Sequence, residues 1–248
     1  MSTKSSLTKR VKDFVMDEFV LGYTLFERLF LVTMLAVQII VFTLYPETVI
    51  SIISGIAGVI SVVLCAKGKI SFYYIGFIQT ISYLYLAWQN RFYGEVAENI
   101  FYLATMIIGI FLWRKNSAKM DDGGKYVKAK AMSARMWIVS TLATIASTIV
   151  TGMLLDSIGS QQAYTDAATN VLAIFAQILM IKGYREQWVW WIAIDLICIK
   201  LWLVAGNWSM VAMYIAWTIN CIYGWINWSI LNNKQKMVFE VSNLEVKA

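Results

Sequence analysis

Residues 49–66 read VISIISGIAGVISVVLCA, a run with no charged residue, no amide and no proline. A helix crossing a hydrocarbon layer of roughly 30 Å needs about 20 such residues. A membrane strand is shorter and alternates apolar with polar, which this run does not. Seven further runs are of similar length and predominantly apolar: Leu29–Tyr45, Ile70–Trp88, Glu95–Trp113, Met136–Ile158, Thr165–Gly183, Trp188–Ala205 and Ser209–Leu231. The expectation is an all-α polytopic membrane protein with about eight transmembrane helices. Composition agrees, with 59% hydrophobic and 15% charged residues and a mean hydropathy of +0.63. A soluble chain of 248 residues has no means of hiding that much apolar surface.

Most of the Lys and Arg residues fall in or beside the gaps between these runs. The N-terminus carries Lys4, Lys9, Arg10, Lys12 and Arg28, and the loop after Ala66 carries Lys67 and Lys69. Arg114, Lys115, Lys119, Lys125, Lys128, Lys130 and Arg135 make residues 114–135 the most basic stretch. Lys182 and Arg185 follow the sixth run, and Lys234 and Lys236 follow the eighth. The loops in between hold only Glu47, Arg91, Asp156 and Asp166. Basic and non-basic loops alternate strictly, which places both termini on the cytoplasmic side of a bacterial inner membrane. Residues 7–27 put Val11, Phe14, Val15 and Phe19 on one helical face. That pattern suits a helix lying on the membrane surface, with a flexible basic tail as the alternative.

Several classes of function are excluded early. With no His, imidazole catalysis and imidazole metal sites are ruled out, and the sequence shows no nucleophile–base pair or glycine-rich phosphate loop. No enzymatic activity, cofactor, metal or nucleic-acid partner is expected. Cys65, Cys198 and Cys221 lie inside apolar runs and read as small core residues. The opening MSTKSSLTKRVKDFVMDEF has no short apolar core with a cleavage site, so no removable signal peptide is expected.

Shifting the chain against itself by 115 residues superposes the second, third and fourth runs on the sixth, seventh and eighth. Lys67-Gly68 then matches Lys182-Gly183, and Gly109-xxx-Trp113 matches Gly224-xxx-Trp228. About ten positions in sixty are identical, so the shared landmarks carry the argument. The fifth run restores the orientation between two three-helix units, giving parallel repeats in a 3+1+3 plan with the first run outside it. Its stripe Ser140, Thr144, Ser147 and Thr151 suits close helix packing. The resulting segments are an N-terminal cytoplasmic stretch (1–28), an extra span (29–45), a first unit (48–114), a basic loop (115–135), a linker span (136–158), a second unit (164–231) and a cytoplasmic tail (232–248).

Polar residues at mid-depth are costly in lipid and face internal cavities. The fourth run stacks Glu95, Asn99, Tyr102, Met106, Gly109 and Trp113 on one face. The seventh stacks Trp188, Trp191, Asp195, Cys198 and Trp202, and the eighth Met213, Trp217, Asn220, Gly224 and Asn227. The candidate binding residues are Gln79, Asn99, Tyr102, Gln177, Trp188, Trp191, Asp195, Tyr214, Trp217 and Asn220. Asp195 reads as the one mid-depth acid, while Lys200 lies on another face and snorkels outward. Rings, amides and a carboxylate suit a flat, polar, cationic small molecule, and the absence of Arg or Lys at that depth disfavours a phosphate. Competing readings are plain packing for Tyr102 and Trp217, and interhelical hydrogen bonding for Asp195 and Asn220. Trp113, Trp228, Trp188 and Tyr93, near helix ends, read as interfacial belt residues, with a ligand role also open for Trp188.

The segments FYYIGFIQTISYLYLAWQNRFYGEVAENIFYLATMIIGIFLW (72–113) and LAIFAQILMIKGYREQWVWWIAIDLICIKLW (172–202), with the closing Gly224-Trp225-xx-Trp228, resemble the PnuC family of nicotinamide riboside transporters. That family is distantly similar to SWEET sugar transporters, and the resemblance spans residues 48–231. It implies uptake of nicotinamide riboside by facilitated diffusion and assembly as a homotrimer in the bilayer. Many relatives are expected to carry Asn where this chain has Asp195, which leaves another cationic vitamin such as thiamine, or a SWEET-like sugar, as the alternative cargo. A receptor that binds without transporting is the remaining class.

Overall fold

The apolar runs are helical in the computed structural model, which describes residues 16–19, 21–44, 48–117, 125–160, 162–206 and 208–245. The eight long helices are α1 (Leu25–Leu44), α2 (Val49–Lys67), α3 (Phe72–Gln89), α4 (Tyr93–Ser117), α5 (Ala134–Ser157), α6 (Ala163–Ile181), α7 (Gln187–Val204) and α8 (Trp208–Glu245). Expectations on residues 1–15, 118–124 and 246–248 lie outside the described residues. Helix starts follow local chemistry. The Thr48 hydroxyl accepts from the Ser51 amide at 3.2 Å and Ser133 from Met136 at 3.3 Å, satisfying amide groups that an N-terminus leaves free. Gly68 (φ 75°) and Gly183 (φ 78°) turn the chain in left-handed conformation after α2 and α6.

Six of these helices, α1, α2, α4, α5, α6 and α7, are long and apolar enough to cross a membrane. α3 and α8 are rich in Tyr, Trp, Gln and Asn, which lowers their hydropathy. α8 also runs well past the apolar stretch that ends at Leu231. Residues 232–245 hold no Gly or Pro to stop it, so the helix reaches about 57 Å at 1.5 Å per residue.

Among the described residues, contacts close six helices into a ring: α2 on α3, α3 on α4, α4 on α6, α6 on α7, α7 on α8, and α8 back on α2. α1 packs outside on α2, and α5 outside on α6. The small-residue stripe of α5 is its less exposed side, with Thr144 buried, and Gly152 of the same helix lies against the Tyr164 ring of α6.

Two expectations are corrected here. The N-terminal segment is not one helix through residue 27: residues 16–19 are helical, a turn with Gly22 at φ 70° follows, and α1 begins at Leu25. This segment is clasped by the loop after α2. Lys69 Nζ donates to the carbonyls of Asp17 (2.5 Å) and Glu18 (3.0 Å), and Ser71 Oγ donates to the Glu18 carboxylate at 2.6 Å. Burial lowers the Lys69 pKa against the opposing pull of Glu18. Exposed Lys125 holds Asp17 at 2.5 Å and lowers its carboxyl pKa.

The second correction concerns tryptophan. Trp113 and Trp228 are 1% and 0% exposed, so they are core residues and not belt residues. Tyr93, by contrast, is 64% exposed. The basic loop also carries core: residues 125–132 are extended, and Val127 and Ala129 are buried while Lys128 is exposed. Val127 N donates to Gly68 O (2.7 Å) and Ile70 N to Lys125 O (3.0 Å). Lys130 N donates to Gly183 O (2.8 Å) and Arg185 N to Lys130 O (2.9 Å), so this strap is stitched to both loops.

Candidate functional site

The ring encloses a cavity of about 530 Å³, lined by α2, α3, α4, α6, α7 and α8 and by neither α1 nor α5. Its size falls in the range of sites for small organic molecules. The end toward the strap is sealed by aromatic rings. Tyr73 meets Trp113 edge-on at 5.0 Å, Trp113 meets Trp228 at 5.5 Å, and Trp228 meets Trp188 at 5.8 Å. Two glycines make room for this plug: a Cβ at Gly109 would collide with Tyr73, and one at Gly224 with Trp188. Toward the other end the lining passes Tyr83, Glu95 and Asn170.

All ten candidate residues line this cavity: Gln79, Asn99, Tyr102, Gln177, Trp188, Trp191, Asp195, Tyr214, Trp217 and Asn220. Several are held by neighbours. Gln177 Nε2 donates to Thr105 Oγ1 at 2.9 Å, and Asn220 Nδ2 to Val62 O at 3.4 Å. Asn99 Nδ2 donates to Glu95 O at 2.8 Å. Tyr214 and Trp217 pack edge-to-face at 5.4 Å, and Trp217 stays 38% exposed. The Cys221 thiol lies 3.5 Å from Asp195 Oδ2. Asn220 Oδ1 and Trp188 Nε1 are buried without a hydrogen-bond partner among the described residues. The three cysteines are buried and free.

Asp195 is joined on this cavity by two acids nearer a helix end. Glu98 and Glu95 line the same cavity, with Tyr102 Oη donating to Glu98 at 2.5 Å and Tyr83 Oη to Glu95 at 3.3 Å. A signal was available in the spacing, because Glu98 stands three residues after Glu95 and four before Tyr102, on one helix face. Among the described residues, none that lines the cavity is Lys or Arg. Cations sit elsewhere: Lys67 is buried in a pair with Glu27 at 2.7 Å beyond the sealed end, and Lys200 is exposed.

A ring of long helices, four of them apolar enough to cross a membrane, around a cavity lined by aromatic rings, amides and carboxylates is the architecture of a membrane solute transporter. The family profile described as "Nicotinamide mononucleotide transporter" matches residues 48–230, and the chain belongs to this family of membrane transporters, which are not enzymes. It is 37% identical over 216 residues to the nicotinamide riboside transporter PnuC of Haemophilus influenzae, covering 87% of this chain and 94% of that one. It is 36% identical to the Neisseria mucosa protein of the same name over 218 residues, covering 85% and 83%. A crystal structure of the vitamin B3 transporter PnuC superposes with a TM-score of 0.74 at 34% identity, covering 88% of this chain and 96% of that chain.

Proposed function

We propose that this chain takes up nicotinamide riboside by uniport through the cavity between two three-helix units. The observation that carries the proposal is the charge of the lining. Trp188, Trp191, Trp217, Tyr102 and Tyr214 offer faces to a pyridinium ring, and Gln79, Asn99, Gln177 and Asn220 offer bonds to ribose hydroxyls and the carboxamide. Glu95, Glu98 and Asp195 balance the positive ring. A mononucleotide adds a phosphate of about −1.5 to −2 charge, and a lining without Arg or Lys gives it no partner. The riboside named for the relatives therefore fits better than the mononucleotide of the family description.

The same reading extends to architecture. α3 and α8 complete eight spans, their polar residues turned to the cavity. Exchanging α2, α3 and α4 with α6, α7 and α8 maps the helix contacts onto themselves, which supports a parallel, SWEET-like 3+1+3 plan. The alternation of basic loops supports cytoplasmic termini in a bacterial inner membrane. A homotrimer is the assembly that family membership suggests.

The test is calorimetric titration of the purified protein in detergent with nicotinamide riboside, its 5′-phosphate, thiamine and glucose, followed by flux into liposomes. Binding and flux of the riboside alone, independent of an imposed ion gradient other than its own charge, is the expected result. Thiamine binding would keep the site and replace the cargo. Tight riboside binding without flux would make the protein a receptor.

A further inference from the structure

We infer that Glu98 sets the preference of this site for a positively charged ring over a neutral one of the same shape. The inference rests on the transport reading above and adds a residue that sequence reasoning passed over. Glu98 is fixed in place by the Tyr102 hydroxyl, which donates to its Oε1 at 2.5 Å, and both side chains line the cavity. Held this way, the carboxylate has a defined position beside an aromatic face that itself attracts cations. It has no Lys or Arg within ion-pair distance among the described residues.

Glu98 does not act on an otherwise balanced site. α7 contributes Asp195 to the same lining, bonded by the Cys221 thiol at 3.5 Å and, among the described residues, with no cation in ion-pair distance. α8 contributes Asn220 to the same lining, 4% exposed, with its Oδ1 buried and without a partner among the described residues. Glu95, three residues before Glu98, lines the same cavity, so the lining carries three carboxylates and, among the described residues, no Lys or Arg. Glu95 and Glu98, three residues apart on one helix, repel, and a cation entering beside them relieves that repulsion where water screens least. A neutral ring gains the stacking but not this relief.

The test uses the full-length protein and a matched pair of ligands, nicotinamide riboside and its uncharged 1,4-dihydro form. Wild type should bind the cation about tenfold or more tightly than the neutral form, a difference of about 1.4 kcal/mol. Glu98→Gln keeps the bond from Tyr102 and removes the charge. It should weaken the cation about tenfold while the neutral ligand stays within about twofold. Tyr102→Phe, which frees the carboxylate, should shrink the same ratio and serves if Glu98→Gln does not fold. A ratio unchanged in the folded variants overturns the role of Glu98. A wild-type protein that binds neither ligand overturns the transport reading instead, so the two failures are distinguishable.

Discussion

Trp113 and Trp228 meet edge-to-face at 5.5 Å, and each donates its indole N–H to a carbonyl of the opposite half of the ring. Trp113 Nε1 reaches Met180 O at 3.1 Å, and Trp228 Nε1 reaches Cys65 O at 2.9 Å. Met180 stands 115 residues after Cys65, as Trp228 does after Trp113, so the two bonds are counterparts. Each ties α4 to α6 or α8 to α2, at the two seams where the ring closes.

That reciprocity makes the pair a stability determinant. Trp228→Ala should cost about 3–5 kcal/mol, since it empties the space of a fully buried indole. Trp113→Phe should cost about 0.5–1.5 kcal/mol, the worth of the lost indole bond, because the Met180 carbonyl still accepts from the Gly183 amide at 2.9 Å. Thermal unfolding in detergent measures both; wild-type melting of Trp228→Ala would refute the assignment.

Gly224→Ala should be worse than its size suggests. The added methyl meets the Trp188 ring and forces it to move, at about 1–3 kcal/mol. Because Trp188 also lines the cavity, ligand affinity should fall with stability. Gly94→Ala, with nothing within 4 Å of its Cβ, is the matched control and should leave both unchanged.

Lys67 and Glu27 form an ion pair with side chains only 8% and 5% exposed. Lys67 also donates to Gly22 O at 2.7 Å and sits 4.1 Å over the Tyr23 ring, while Tyr223 donates to Glu27. Lys67→Met alone should destabilise by about 3–5 kcal/mol, because Glu27 is left buried and unpaired. Adding Glu27→Leu should recover much of that loss. A double-mutant cycle on unfolding free energies reads the coupling directly.

Trp217→Ala should separate binding from folding. The ring is 38% exposed and lines the cavity, so its loss should weaken a cationic ligand about tenfold with little change in melting temperature. Asn220→Ala should weaken it as well. Calorimetry and thermal unfolding on one preparation check this, and wild-type affinity in folded Asn220→Ala removes that residue from the site.

The helices were legible because lipid imposes long apolar runs that local composition reveals. The start of α2 at Val49 was read to the residue, and α3 and α7 within two residues at each end. The candidate site was legible for a related reason: Trp191, Asp195 and Asn220 have no place facing lipid. Burial of Trp113 and Trp228 was not legible, since a tryptophan near a helix end looks the same whether it meets headgroups or another tryptophan. Only the tertiary partner decides. Glu98 was hidden by depth, lying near the start of α4 where an acid is unremarkable in a loop-facing turn. Val127 and Ala129 were masked by lysines, although their alternation with Lys128 and Lys130 is the period of an extended chain.

The strap across the two loops has a mechanical consequence. Val127 is bonded to Gly68 and Lys130 to Gly183, so three residue steps, at most about 10 Å of taut chain, join the corners of the two halves. While those bonds hold, the two corners are tethered like the arms of a clothes-peg at its spring, and any movement of one half against the other is expected to be smallest at this end.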